Sequence, residues 1–115
     1  MNIINFEENF NKKLDCDIFT TIRKTNRAKY ESYLLRTGEK FNITLNNEFY
    51  CLAKLIKVDH EKYSKMNDYL LVLDSGMTNF VSINTLMKKY GLRSIDDNMI
   101  ILTFERINMQ KNDLL

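Results

Sequence analysis

The chain has few of the residues that most often carry metal, redox or phosphate-loop chemistry. Its 115 residues include no proline, no tryptophan, three glycines, two cysteines and one histidine. The three glycines are scattered, which excludes a glycine-rich phosphate-binding loop. Cys16 and Cys51 lie far apart, form no CxxC motif and have only His60 as a companion, so the sequence predicts no zinc site, no disulfide scaffold and no cofactor. Thiols in this pattern are typical of a protein of the reducing cytoplasm.

Long apolar runs are also missing. No stretch approaches the roughly 20 apolar residues that a membrane-spanning helix needs. The first eight residues have neither the basic leader nor the apolar core of a secretory signal. We therefore expect one cytoplasmic domain over residues 1–115, without a membrane partner and with a frayed polar tail at 108–115.

Positive charge is concentrated in one segment of the chain. Residues 23–36 carry five cations against the single acid Glu31, a net charge of +4, whereas the whole chain has a net charge of +2. Such a local excess is typical of surfaces that bind phosphate backbones, because neutralised phosphates release condensed counterions. Tyr30 and Tyr33 lie among these cations, and aromatic rings can stack on unpaired bases. The alternative is a solvated surface segment whose tyrosines pack on the core.

This segment begins at the end of a predicted strand. Residues 18–24 are rich in β-branched and aromatic side chains and end in two cations. A buried strand can place Thr20 or Thr21 at the mouth of a pocket, where Arg23 would bind an anionic or planar ligand through its rigid fork of donors. Strand alternation puts Thr21 and Arg23 on the same face.

Hydrophobic spacing predicts the other elements. Apolar residues at three- or four-residue steps predict helices over residues 3–14, over 65–73 and from 78 or 79 to 90, the last ended by Gly91. Strands are predicted over 41–45, 49–58 and 99–107, with a tight turn at Asn46 and Asn47 between the first two and with His60 in a polar connection. Residues 25–37 are ambiguous, and we favour a loop with a helical turn. This order predicts an α+β fold around a small curled sheet.

Four motifs in this order resemble the ASCH domain of the PUA-like superfamily. In that family a Thr-Ile-Arg strand is followed by a Gly-acid pair that opens a β-hairpin, and a late strand closes a small barrel. The resemblance spans residues 18–107 and implies a small PUA-like β-barrel (pseudobarrel) with flanking short helices. The motifs are Phe19-Thr20-Thr21-Ile22-Arg23, then Gly38-Glu39-Lys40-Phe41-Asn42-Ile43, then Leu73-Asp74-Ser75-Gly76 before a helix ending at Lys89-Tyr90-Gly91, and Ile101-Leu102-Thr103-Phe104-Glu105.

The resemblance also implies a cleft beside the Thr-Ile-Arg strand that suits RNA, a modified base or a nucleoside. Thr21 and Arg23 would line this cleft, while Lys24, Arg27 and Lys29 would approach phosphates on its rim. The independent charge count agrees with this placement. The full predicted nucleic-acid-binding set is Thr20, Thr21, Arg23, Lys24, Arg27, Lys29, Tyr30, Tyr33 and Arg36.

An enzymatic alternative comes from the same resemblance. Some ASCH proteins resemble amidohydrolases that remove the acetyl group of N4-acetylcytidine, with a lysine that activates a threonine nucleophile and a glutamate that assists. Thr21 occupies the threonine position, but Ile18 stands where the lysine is expected. Three other lysines could substitute in space, namely Lys12, Lys13 and Lys24. The candidate carboxylates are Asp74, which could equally be a turn or cap residue, and Asp68.

Two further classes stay open. A ribonuclease would need clustered carboxylates, for which Asp96 and Asp97 are candidates, although such a pair before a strand is typical of a plain turn. In a protein-interaction module, Tyr30 and Tyr33 with the arginines would form the interface anchor. Our leading hypothesis is a module that binds RNA or a nucleotide-like ligand, with the hydrolase as the alternative.

Overall fold

The computed structural model describes residues 2–67, 71, 74 and 83–107. The helices with described bounds are α1 (Arg27–Leu35), α2 (Ile83–Tyr90) and the 3-10 helices Phe10–Asp15 and Tyr63–Lys65. The strands are β1 (Ile3–Phe6), β2 (Ile18–Lys24), β3 (Lys40–Leu45), β4 (Glu48–Lys62) and β5 (Asn98–Arg106). The predicted α+β class is confirmed. No helix among the described residues is long and apolar enough to cross a membrane.

The strands form one mixed sheet that curls into a half-barrel. Their order is β1-β3-β4-β5-β2, with β1 parallel to β3 and the other neighbours antiparallel. A register shift between Leu55 and Lys57 interrupts the pairing of β4, and such bulges bend a strand and increase its twist. The curl brings the two edge strands together, since Phe6 of β1 and Phe19 of β2 meet edge to face with ring centroids 6.3 Å apart.

Each face of the sheet carries its own apolar cluster. The larger cluster fills the concave face around Phe41 and Phe104, whose rings are 5.4 Å apart. The smaller one, on the convex face of β2 and β5, joins Ile22 and Met99 to the second 3-10 helix and to α2. Because Phe19 belongs to the concave cluster, strand alternation places Thr21 on that face also.

The predicted helix over residues 3–14 is wrong. Ile4 and Phe6 are buried whereas Ile3 is 58% exposed, which is the two-residue period of a strand. Ile4 lies opposite Ile43 in the parallel pairing of β1 with β3. The three- and four-residue spacing is present in the sequence, but pairing with a strand some forty residues away decides the local structure. A 3-10 helix forms only over Phe10–Asp15.

The predicted loop over residues 25–37 is wrong as well, because this segment contains α1. The side chain of Asn26 accepts a hydrogen bond of 2.9 Å from the backbone N–H of Lys29 and so caps the helix. The helix has no fully buried residue and contacts the concave cluster through Tyr30 and Tyr33. It therefore lacks the apolar stripe that makes a helix visible in a sequence.

Most of the other predicted elements agree with the structure. Residues 18–24 form β2 as predicted, the other predicted strands coincide with β3, β4 and β5 to within a few residues, and the positive φ angles of Asn46 and Asn47 confirm the turn. The placement of His60 in a connection is wrong, since β4 continues past it to Lys62. The helix ending at Tyr90 is confirmed, with Gly91 at a φ of +69°. Most of the predicted helix over 65–73, the start of the last helix, Asp68 and the tail at 108–115 lie outside the described residues.

Candidate functional site

A cleft of about 860 Å³ opens beside β2. Its walls come from the segment after β1, the first 3-10 helix, α1 and the C-terminal end of α2. Among the described residues, six cations but only three carboxylates line it. Four aromatic rings of this part of the chain also line the cleft, those of Phe6, Phe10, Tyr33 and Tyr90. A concave site with excess positive charge and aromatic walls suits a ligand that is both anionic and planar.

Arg23 ties the two edges of the sheet together at the floor of the cleft. Its Nη2 donates a hydrogen bond of 2.7 Å to the backbone carbonyl of Asn5 in β1, and its guanidinium lies 5.1 Å from the centroid of the Phe6 ring. Its Nε donates to Thr21 Oγ1 at 3.3 Å. Burial lowers the pKa of Arg23, and the tyrosine at 33 and the carboxylate at 74 oppose that effect. A guanidinium has five N–H donors, so part of the fork stays available to a ligand.

Asp74 accepts three hydrogen bonds in the wall of the cleft that contains the first 3-10 helix and the end of α2. Its Oδ1 accepts from Lys13 Nζ at 2.9 Å and from the backbone N–H of Ile22 at 3.1 Å. Its Oδ2 accepts from the hydroxyl of Tyr90 at 2.8 Å. The carboxylate thus joins the 3-10 helix, the free edge of β2 and the end of α2. Burial, followed by the nearby Asp74 charge, raises the pKa of Tyr90 well above its ordinary value, so this hydroxyl remains a donor.

Thr21 lies deep in the cleft and is only 3% exposed. Its Oγ1 accepts from Arg23, which leaves its own proton free to be donated to a ligand. Within the described part of the chain, no carboxylate or imidazole forms a hydrogen bond with this hydroxyl. The group that would deprotonate Thr21 for nucleophilic attack is therefore not in place in this arrangement.

No protein-family model, curated protein or solved structure matches the chain. The site must therefore be judged from its own geometry.

Six members of the predicted nucleic-acid-binding set line the cleft together, namely Thr21, Arg23, Lys24, Lys29, Tyr33 and Arg36. Three members do not. Thr20 lies on the other face of β2 by strand alternation. Arg27 projects from α1 into solvent and pairs with Glu31 at 3.0 Å, an exposed pair one helical turn apart. The ring of Tyr30 is stacked on His60 with centroids 4.4 Å apart.

The two predicted stacking tyrosines are thus in different situations. Tyr30 joins α1 to β4 through His60, which makes it a packing residue. Tyr33 stacks on Phe41 of the core at 6.3 Å, yet it also lines the cleft. The guanidinium of Arg36 lies 4.6 Å from the centroid of the Tyr33 ring. Of the pair, only Tyr33 remains a candidate ligand contact.

Sequence reasoning missed two residues of the α2 wall, Lys89 and Tyr90. Both lie more than sixty residues beyond β2, and a charge count confined to residues 23–36 could not include them. The one hint in the sequence is the Lys88-Lys89 pair at the end of the predicted helix. Lysines are common at that position in any helix, because they interact favourably with the negative end of the helix dipole. The fold is needed to distinguish these two lysines, since Lys89 lines the cleft and Lys88 does not.

The acidic pair proposed for metal-dependent cleavage has a structural role instead. The carboxylate of Asp97 accepts hydrogen bonds from the backbone N–H groups of Arg93 at 2.8 Å and Ser94 at 3.3 Å. The Arg93 bond is the main reason that the pKa of Asp97 lies below its ordinary value. Asp97 therefore closes the turn before β5. Among the described residues, no group of three or more histidine, cysteine or acidic side chains could hold a metal ion.

Proposed function

We propose that this chain is an ASCH-type domain of the PUA-like superfamily that binds single-stranded RNA, or a nucleotide-like part of it, in the cleft beside β2. The observation that carries the proposal is the composition of that cleft, in which the described residues place six cations against three carboxylates around aromatic rings. The sequence motifs for the resemblance begin with the same strand that forms the cleft floor. The resemblance implies a small barrel with a cleft beside the Thr-Ile-Arg strand, and the half-barrel sheet and the cleft beside β2 support it.

The recessed position of the polar groups in the cleft favours an unpaired nucleotide over a duplex as the ligand. The polar groups of Thr21 and Arg23 lie inside the cleft, and Thr21 is nearly inaccessible from outside. Duplex RNA is read by proteins mostly across its wide minor groove and phosphates, which requires an open surface. An unpaired base can enter such a cleft, stack on an aromatic ring and form hydrogen bonds with recessed groups.

The direct test is fluorescence anisotropy of labelled single-stranded RNA, duplex RNA and single-stranded DNA at two salt concentrations. We expect single-stranded RNA to bind most tightly and to weaken as salt rises, because phosphate contacts release counterions. Arg23→Lys keeps the positive charge but loses the fork of donors, so it should weaken binding. Arg27→Lys makes the same change at an exposed cation outside the cleft, so it is the matched control and should leave affinity nearly unchanged. Absence of binding to all three nucleic acids would remove the proposal.

A hydrolase acting on a modified nucleoside is the second candidate, and one observation favours it. Thr21, Lys13 and Asp74 all line the cleft, although they come from separate parts of the chain. Lys13 would supply the amine missing at Ile18. However, Lys13 Nζ already donates to Asp74 Oδ1 at 2.9 Å, so the amine is engaged by that carboxylate. Catalysis would require this pair to separate, so binding is better supported than turnover.

Turnover can be tested with matched threonine variants. The purified protein is incubated with N4-acetylcytidine, and release of cytidine is followed by chromatography. An active hydrolase would lose turnover in Thr21→Ala and keep it in Thr20→Ala, because Thr20 lies on the other face of β2. Equal rates in the two variants would exclude Thr21 as the nucleophile.

A further inference from the structure

Three of the six cations in the cleft are already held by the protein. Lys13 forms the salt bridge with Asp74 at 2.9 Å, and its side chain is only 17% exposed. Arg23 bridges the sheet edges through Asn5. Arg36 donates to Ser32 Oγ at 3.1 Å and to its backbone carbonyl at 3.3 Å. These side chains shape the cleft, and a mobile phosphate chain would have to compete with fixed contacts to use them fully.

The other three cations are the lysines Lys24, Lys29 and Lys89, which we name the rim lysines. All three are exposed and line the cleft. The structure gives the Lys29 ammonium no partner among the described residues. Lys24 donates one hydrogen bond of 3.3 Å to the carbonyl of Gly91 and retains two donors. Lys89 lies 4.8 Å from the centroid of the Phe10 ring, and the described residues provide no acceptor for its N–H donors.

The rim lysines come from three different elements. Lys24 is the last residue of β2, Lys29 lies in the first turn of α1, and Lys89 lies in the last turn of α2. Arginines and a lysine that are engaged by the protein therefore form the interior, while exposed lysines that retain unused N–H donors surround the mouth. An ammonium on a flexible stem suits a phosphate oxygen whose exact position varies from one nucleotide to the next.

We propose that the sugar–phosphate backbone of a single strand crosses the mouth of the cleft from the α1 side to the α2 side and contacts the rim lysines, while one nucleotide base enters below them. This inference rests on the proposed function and assigns to Lys89 of α2 a phosphate contact comparable to those of Lys24 and Lys29. Arg27 and Arg36, the outer arginines of the positively charged segment, make no such contact.

The assignment sets the salt dependence of binding. For single-stranded nucleic acid, the slope of log K against log salt is about −0.7 for each phosphate neutralised, so three rim lysines give about −2. Replacing one rim lysine with glutamine should reduce the steepness of the slope by about 0.7. A change at a lysine outside the cleft should leave the slope as it is.

The experiment measures anisotropy of a labelled ten-nucleotide single-stranded RNA over a salt series for the unchanged protein and four variants. The rim variants are Lys24→Gln, Lys29→Gln and Lys89→Gln. Lys88→Gln is the matched control, because Lys88 is exposed and adjacent in α2 but does not line the cleft. Circular dichroism of each variant verifies that it is folded. We expect a slope near −2 for the unchanged protein and for Lys88→Gln, and shallower slopes for the three rim variants.

The outcomes separate this inference from the proposed function. If Lys89→Gln binds RNA with the same slope of log K against log salt as the unchanged protein, the contact assigned to Lys89 is wrong while the cleft proposal stands. Binding with a slope near zero in the unchanged protein would overturn the rim assignment as a whole. Absence of RNA binding at any salt concentration would overturn both.

Discussion

Removal of the Asp74 carboxylate should cost this protein a large part of its stability. Asp74 is only 8% exposed and accepts hydrogen bonds from Lys13, Ile22 and Tyr90. Asp74→Ala leaves all three donors without this acceptor. It also leaves the ammonium of Lys13 in a largely enclosed position without its counter-charge.

The expected loss can be estimated from these contacts. Breaking a buried ion pair by removing one partner costs about 3–5 kcal/mol. Each neutral donor left unsatisfied costs about 1–3 kcal/mol. Two contacts reduce the total: the Tyr90 hydroxyl keeps the carbonyl of Leu71 at 3.4 Å as an acceptor, and Lys13 keeps partial access to water. We therefore expect Asp74→Ala to lower the free energy of unfolding by about 4 kcal/mol, out of the roughly 5–15 kcal/mol typical of a domain.

Urea unfolding followed by circular dichroism measures this loss. With a slope of about 2 kcal/mol per M, the unfolding midpoint should fall by about 2 M. Asp59→Ala is the control, because Asp59 pairs with Lys57 at 3.4 Å on the surface, with side chains 47% and 66% exposed. That variant should lose less than about 1 kcal/mol. Equal midpoints for the two variants would refute the role assigned to Asp74.

Three further predictions concern other parts of the molecule. A thiol reagent should label Cys16 in the native protein and Cys51 only after unfolding, because burial encloses the Cys51 thiol and raises its pKa. Rapid labelling of both thiols in the native protein would contradict this. The folded pKa of Asp97 lies below its unfolded value of 3.8, so the stability it contributes is present above that pH and is lost as the pH falls through the folded value. Urea midpoints at pH 7 and pH 3 should therefore differ less in Asp97→Asn. Tyr30→Leu should lose the stacking on His60, about 0.5–1.5 kcal/mol of unfolding free energy, while a calorimetric titration with RNA shows unchanged affinity.

The parts of the fold that local pattern decides were predictable. Residues 18–24 form β2 because their β-branched and aromatic content has no competing helical period. The Asn46-Asn47 turn and the stop at Gly91 follow from residues that tolerate positive φ angles. Alternation along β2 placed Thr21 and Arg23 together, and the 3.3 Å hydrogen bond between them confirms it.

The parts that depend on distant pairing were not predictable. Residues 3–6 satisfy a helical spacing and a strand spacing at once, and only the presence of β3 as a parallel partner selects the strand. The helix α1 has almost no apolar face, so its capping residue Asn26 was its main local signal. Asp74 was a candidate turn or catalytic residue, whereas its observed partner Lys13 lies 61 residues away in the sequence. A pattern in one sequence does not show that two residues so far apart in the chain are in contact.

The charge count identified some of the cations that line the cleft but not all of them. It was right that cations gather after β2, since Lys24 and Lys29 line the cleft. It could not separate Arg27, which projects into solvent, from the residues that face inward. It also could not bring in Lys89, which only the packing of α2 places beside β2.

Mapping the binding surface by nuclear magnetic resonance tests the central claim most directly. Isotope-labelled protein is titrated with a short single-stranded RNA, and the backbone amide shifts are followed residue by residue. We expect the largest shifts at Thr21 and Arg23 on the cleft floor, with further shifts at Lys29 and Lys89 on its rim. Shifts confined to the exposed face of β4 around Lys54, or no shifts at all, would contradict a binding site in this cleft.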